Sequence, residues 1–389
     1  MDRRARGRLA WPRSHAAEAQ RVVDLSAASQ RLESYLGAVA ILNDSQRDNA
    51  RLKAQDLYER RREWRSVPFR LMVEANRRCN TRCAHCDVVH TRADGLEPEL
   101  IERLFDEVGW GSMEIMPFAG GEPTLGPIEL FARLARRHNQ FLNFITNGLL
   151  FDRAYYRSIA DVTARVHFSL HSHHKDVQER VMPGVPFETL VRNIADAADV
   201  ARGTGAQILC GLVAIDWNVG ELADYVRFVH ELGVRRVVFQ KLYPWSSAGQ
   251  RIGSAARRAP EEVRAHVRRA LDVALELGVF VESNLDDAHG DPRMQNPQNS
   301  PFDVLQDNAG VVELFQPGFC ISTAITAIVE HDGTVLPCCR DHIVLGNLRE
   351  SSFGELWNGP RMQALRTSFF ERTPSDYCRR CMAFYNGHA

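Results

Sequence analysis

The stretch PFRLMVEANRRCNTRCAHC, residues 68–86, sets an apolar run directly against three cysteines. Residues 69–75 read as a buried strand. Cys79, Cys83 and Cys86 follow in the pattern CxxxCxxC. A zinc ribbon wants a second cysteine pair nearby, and the next group lies more than two hundred residues downstream. Four thiolates saturate an iron–sulfur cluster. Three leave one iron open to an outside ligand, as a catalytic zinc keeps one position free.

From this strand the pattern repeats outward. Strand-like runs fall at 69–75, 113–118, 141–145, 165–170, 207–215 and 235–241. Helical stretches lie near 97–108, 127–138, 152–160, 187–202, 219–232 and 260–278. Six strand–helix units predict an α/β fold, a parallel sheet covered by helices. Right-handed crossovers curl such a sheet into a partial (β/α)6 TIM-like barrel. Ligands in these folds meet the C-terminal strand ends, where the three cysteines fall.

Three segments follow: an N-terminal helical extension at 1–66, the barrel at 67–288, and a segment of different texture at 302–389. The Pro/Asn/Gln-rich run 289–301 reads as a loop between the last two. The charged run within 17–66 reads as a solvated helix face. The first twenty residues are Arg-rich, lack an apolar core, and read as a loose extension.

The chain has 389 residues, 44% of them hydrophobic, and a formal charge of −1. That balance gives no bulk attraction to nucleic acid or membrane. Eight of the nine cysteines sit in two groups, which points to metal in a reducing compartment and to a cytoplasmic location.

Further marks stand at the strand ends. In FAGGEPTL (118–125), Gly120 and Gly121 free the backbone for close approach, Glu122 is able to accept from an ammonium group, and Pro123 fixes the turn. In ITNGLL (145–150), Asn147 and Gly148 are also an ordinary turn signal. The fourth strand ends near Ser169, and Arg180 follows, a cation suited to a carboxylate. His171, His173 and His174 lie between them. Of these only His171 is close enough to the strand end to face a substrate, and a metal site from the trio is the weaker reading. Asn218 follows the fifth strand, and Cys210 lies within it as a core residue or, alternatively, a thiol hydrogen donor.

The cysteine loop and these marks resemble the radical S-adenosylmethionine (SAM) superfamily. The resemblance implies a [4Fe–4S] cluster on Cys79, Cys83 and Cys86 whose open iron chelates SAM. Reductive cleavage of SAM there leads to hydrogen abstraction from an unactivated C–H. It further implies that the GGEP motif, Gly120 to Pro123, grips the methionyl amine and that Ser169 and Arg180 serve the ribose and carboxylate. His85 takes a position where the family prefers an aromatic group near the adenine, and Asn147 and Asn218 line the same pocket.

In the last segment Asp332-Gly333 is a hairpin signal between two apolar runs, and it brings Cys320 toward Cys338. Cys378 and Cys381 form a CxxC pair. Four such thiolates suit a second cluster or a zinc ion. This segment resembles the SPASM/twitch extension of the same superfamily, without the further cysteines of the full pattern. That implies one auxiliary [4Fe–4S] cluster on Cys320, Cys338, Cys378 and Cys381, with Cys339 competing for the place of Cys338.

A saturated cluster suits electron transfer, so the expected reaction is oxidation of a small polyol, aminocyclitol or sugar, with the auxiliary cluster as acceptor. Modification of a ribosomally made peptide is the alternative, and epimerisation a third outcome that needs a hydrogen donor such as Cys210. The first 66 residues lack the strand pattern of a winged-helix leader-binding domain, which tilts the expectation to a small molecule. An external donor such as flavodoxin or ferredoxin is the expected partner.

Overall fold

A computed structural model describes residues 24–86, 95–117, 120–242, 252, 258–285, 309–338 and 343–385. The 289–301 loop, Cys339, and Phe118 and Ala119 of the GGEP stretch lie outside the described residues.

Seven strands run parallel in chain order: β1 (Arg70–Val73), β2 (Glu114–Met116), β3 (Phe141–Thr146), β4 (Thr163–Ser169), β5 (Gln207–Ala214), β6 (Arg236–Lys241) and β7 (Phe280–Ser283). Each neighbours the next, and among the described residues the sheet stays open, so the barrel is partial. The six expected strands are present, and β7 extends the barrel by one. Helices between the strands place their apolar stripe on the sheet. Helix Pro98–Val108 has proline at its start and buries Leu100, Ile101, Leu104, Phe105 and Val108, the i, i+3/i+4 spacing of one face. Strand β5 is buried along nearly its whole length, as a parallel strand covered on both sides should be.

The C-terminal segment is continuous with this sheet. Strand β8 (Thr326–Val329) pairs parallel with β1, Arg70 opposite Thr326 through Val73 opposite Val329. It turns at Asp332-Gly333 into antiparallel β9 (Thr334–Leu336), and β10 (Gly346–Asn347) closes that edge. The expected hairpin forms, and it forms as an addition to the barrel sheet.

The N-terminal extension is helical, as expected, over Leu25–Ala38 and Asp44–Tyr58. Most of its charged run is solvent-facing, as expected, but the opposite side of the second helix buries polar and charged groups as well. In helix Asp44–Tyr58, which starts with an Asn43/Gln46 capping box, Gln46, Asn49, Lys53 and Asp56 are wholly buried. The physical reason is that most of these groups have fixed partners. Gln46 donates to the carbonyls of Ser112 and Asn139, and Asn49 to those of Val67 and Gly111. Asp56 accepts from the amide and hydroxyl of Ser66. No helix among the described residues is long and apolar enough to cross a membrane.

Candidate functional site

The cysteine loop leaves β1 at Glu74 and is braced at every turn. The Glu122 amide donates to the carbonyl of Arg78 (2.8 Å), and the Ala84 amide to that of Val181 (2.8 Å). Thr81 Oγ1 donates to the carbonyl of Pro183 (2.7 Å), and Asn147 Nδ2 to Asn80 Oδ1 (2.6 Å). Cys79, Cys83 and Cys86 are each half-buried on this frame. Burial raises the Cys79 thiol and pushes Cys83 up to about 12, with the neighbouring cysteines adding to both. Such thiols are poor free nucleophiles, and a metal that binds thiolate supplies what burial costs.

Glu74 gathers three parts of the site. Buried at 1% exposure, its carboxylate accepts from the Gly120 amide (2.7 Å), from Arg77 Nε (3.0 Å) and from the His331 amide (3.2 Å). It also contacts His331 Nδ1 at 2.9 Å. The cysteine loop, the GGEP loop and the C-terminal hairpin therefore share one anchor. No motif marks Glu74 in the sequence, although its place directly after β1 is visible there.

The GGEP glycines meet protein first. A Cβ on Gly121 would stand 2.0 Å from the carbonyl oxygen of Arg78, so the glycine is needed where the two loops touch. Glu122 is held by protein donors on both carboxylate oxygens. One carboxylate oxygen accepts from Thr124 N (3.1 Å), Thr124 Oγ1 (2.7 Å) and Thr146 Oγ1 (2.7 Å); the other accepts from the Asn147 amide (2.7 Å). Burial raises its pKa, and these four donors oppose that shift. Pro123 opens the short 3-10 turn Pro123–Leu125. Asn147 is buried, bridging this turn to the cysteine loop.

Asn218 is likewise engaged. It donates to the carbonyls of His171 (2.8 Å) and Val213 (3.0 Å) and accepts from the Ile215 amide (2.9 Å). Its part is to hold the end of β5 and the His171 segment. Arg180 is exposed and stacks on Trp217, its guanidinium carbon 3.6 Å from the ring centre.

His85 and His171 meet edge to face, ring centres 4.5 Å apart. Val213 donates its amide to His171 Nδ1 (3.1 Å), which leaves the proton on Nε2 when the ring is neutral. Burial lowers His85 to about 4; it also holds His171 well below the ordinary histidine range, with help from His85 and His167. His171 Nε2 and His85 Nδ1 are buried without a hydrogen-bond partner among the described residues. Two orphaned imidazole nitrogens beside a three-thiol loop fit a bound nucleoside cosubstrate that supplies acceptors and donors.

Ser169 lies on the inward face of β4, which also carries Arg165 and His167, since side chains alternate along a strand. No sequence motif points to His167, yet placing Ser169 inward requires it. A Cβ on Gly211 would stand 1.7 Å from His167 Nε2, so that glycine makes room for the ring. Below lies a polar floor: Arg70 and Asn143 donate to Glu114 (2.8 and 2.7 Å), and Arg165 to Gln207 (2.7 Å). Cys210 is wholly buried on the opposite face of β5, toward Tyr225 of the helix layer. It stands away from the barrel interior and serves as core.

Cys320, Cys338, Cys378 and Cys381 line one cavity with Thr323, Leu365, Tyr377 and Met382. Four thiols converging in a mostly apolar pocket, none in a disulfide, fit a saturated cluster.

A profile of the radical SAM superfamily matches residues 73–239, and one of the SPASM iron–sulfur cluster-binding domain matches residues 320–382. The chain is 27% identical over 165 residues to a probable GTP 3',8-cyclase of Thermoplasma volcanium, covering 41% of this chain and about half (50%) of that relative's length. It is 23% identical over 331 residues to the PqqA peptide cyclase of Gluconobacter oxydans, covering 81% of this chain and 84% of that protein. Among solved structures, Streptococcus suis SuiB bound to S-adenosylmethionine superposes with a TM-score of 0.60 at 17% identity, covering 88% of this chain and 78% of SuiB. SuiB bound to precursor peptide SuiA gives 0.57 at 16%, covering 82% and 70%.

Proposed function

Because this chain is a radical SAM superfamily enzyme with a C-terminal SPASM-type auxiliary-cluster domain, we propose that its substrate is a peptide, in which it forms a new bond at an unactivated carbon. Its cofactors are S-adenosylmethionine and two [4Fe–4S] clusters. One observation carries the substrate class: a relative matched over 81% of this chain and 84% of its own length is named a peptide cyclase. The GTP cyclase match covers only 41% of the chain. Oxidation of a polyol or aminocyclitol, the expectation from the sequence, has no such support. Epimerisation loses its candidate donor, because Cys210 faces the helix layer.

Each part of the site has a task in this reading. Cys79, Cys83 and Cys86 hold the SAM-binding cluster. That centre, with SAM bound, supplies a radical able to take hydrogen from carbon. His85 and His171 present neutral ring nitrogens to the nucleoside, and Glu74, Glu122 and Asn147 keep the loops in register. Ser169 and His167 face the barrel interior, where the substrate carbon is to lie. Arg180, held on Trp217, offers a cation at the rim for a carboxylate. Cys320, Cys338, Cys378 and Cys381 hold the auxiliary centre, which is suited to accept the second electron of an oxidative bond formation.

The test is anaerobic turnover of the reconstituted enzyme with SAM, reductant and candidate precursor peptides, alongside polyols and aminocyclitols. A peptide product short of two hydrogens, matched by 5′-deoxyadenosine, is the expected result. Turnover of the small alcohols with every peptide untouched would reverse the assignment. Cys378→Ala should still cleave SAM while failing to release product; normal product formation would end the role given to the second cluster.

A further inference from the structure

On the flank of the barrel mouth, the connection from β4 to helix Lys175–Val181 lies against the 3-10 turn Val219–Glu221. His173, His174 and Glu221 meet there, each offering one ligand atom, all within 4.8 Å of one another. His173 Nδ1 stands 3.7 Å from Glu221 Oε2. That nitrogen is buried and has no hydrogen-bond partner among the described residues. The rings of His173 and His174 lie 3.9 Å apart, centre to centre.

The surroundings support ligation. Ser172 Oγ donates to Glu221 Oε2 (2.8 Å) and accepts from the His174 amide (3.0 Å). One hydroxyl thus orients the carboxylate and fixes the backbone of the second histidine, the kind of outer support that ligands in metal sites receive. The His173 ring rests against Phe228, 6.2 Å between centres. Among the described residues, no lysine or arginine forms an ion pair with Glu221.

We propose that His173, His174 and Glu221 form a binding site for a borderline divalent transition-metal ion, zinc foremost, with water completing the coordination. Two imidazoles and a carboxylate suit zinc and its neighbours, whereas magnesium and calcium prefer oxygen donors. Zinc bonds of about 2.0–2.2 Å bring tetrahedral ligand atoms to roughly 3.3 Å from one another. The cluster needs only to contract, and His174, being exposed, is free to swing inward. The ion would fasten the segment that carries His171 to the turn after β5. It involves neither cysteine set, so it stands or falls apart from the peptide assignment.

The experiment uses the untagged full chain with both clusters reconstituted, stripped of loose metal and kept anaerobic. Zinc chloride is titrated calorimetrically while the visible absorbance of the clusters is followed. One zinc per chain is expected, with a dissociation constant on the order of 1 µM or tighter and unchanged cluster absorbance. Magnesium chloride should give no binding heat. His174→Ala, a change at an exposed side chain, should weaken zinc by about a hundredfold, and Glu221→Gln by at least about tenfold. Absence of zinc binding to the intact protein overturns the proposal, and so does an affinity that both variants leave unchanged.

Discussion

At 2% exposure the Glu122 carboxylate has almost no water, and four protein donors take its place. Those donors come from its own turn and from the end of β3, so the side chain shapes the cofactor loop from beneath. Glu122→Gln puts an amide NH2 against one of these donors. An unmatched buried pair of this kind costs about 1–3 kcal/mol. Thermal unfolding of the holoenzyme should show that loss, together with weaker SAM binding. Unchanged stability with only a higher SAM requirement would return Glu122 to the direct contact expected from its motif. The contrast shows what a motif makes legible. The spacing of Cys79, Cys83 and Cys86 and the position of Glu122 are written in short stretches of chain. Thr146 and Asn147 are not, because the meeting with Glu122 is made by strand pairing across more than twenty residues. Arg165 and His167 are within reach of the sequence, since Ser169 facing inward fixes both by alternation.

Helix Asp44–Tyr58 carries the largest departure from its sequence pattern. Lys53 Nζ is wholly buried, has no hydrogen-bond acceptor among the described residues, and lies 4.4 Å from the Trp64 ring centre and 5.6 Å from those of Phe69 and Trp357. Aromatic rings favour an ammonium by about 0.5–2 kcal/mol. Removing that charge from water costs several kcal/mol, and the guanidinium of Arg366 adds repulsion. Lost hydration and repulsion together outweigh the attraction of the rings and of Asp56, so Lys53 is held well below its ordinary range. The sign follows. A depressed lysine gives stability above its unfolded value, about 10.4, that is lost as pH falls toward the folded value. Lys53→Met should therefore raise stability at pH 7, by about 1–3 kcal/mol, and flatten its decline from pH 10 downward. Denaturant unfolding at several pH values checks this; an equal or steeper slope in the variant would show that the amine stays charged among the rings. Charge pattern alone points this helix outward, because it does not reveal carbonyls waiting on another element. Strand β7, four residues long, is hidden from the sequence for a related reason: pairing with β6 defines it more than its own composition does.

The boundary between barrel and C-terminal segment is where the chain, taken whole, differs most from a reading of separate modules. The texture change is real, and the four cysteines do converge beyond it. Yet β8 extends the barrel sheet beside β1, the strand that launches the three-cysteine loop. Below that seam, Trp357 donates to the carbonyl of Ser66, and Asn358 exchanges hydrogen bonds with the backbone of Trp64. Above it, Glu74 holds His331 and Gly120 together. Cutting the chain after residue 308 would make β1 an open edge, uncover the Trp64 cage and leave the buried Glu74 carboxylate half-satisfied. An exposed edge of apolar strand is a site for aggregation. The truncated chain should accordingly emerge aggregated from anaerobic expression and fail to take up its first cluster, as judged by size-exclusion chromatography and iron counting. A monomer that holds about four irons and cleaves SAM would show instead that the barrel stands without its partner, and that the shared sheet adds to the fold without being required by it.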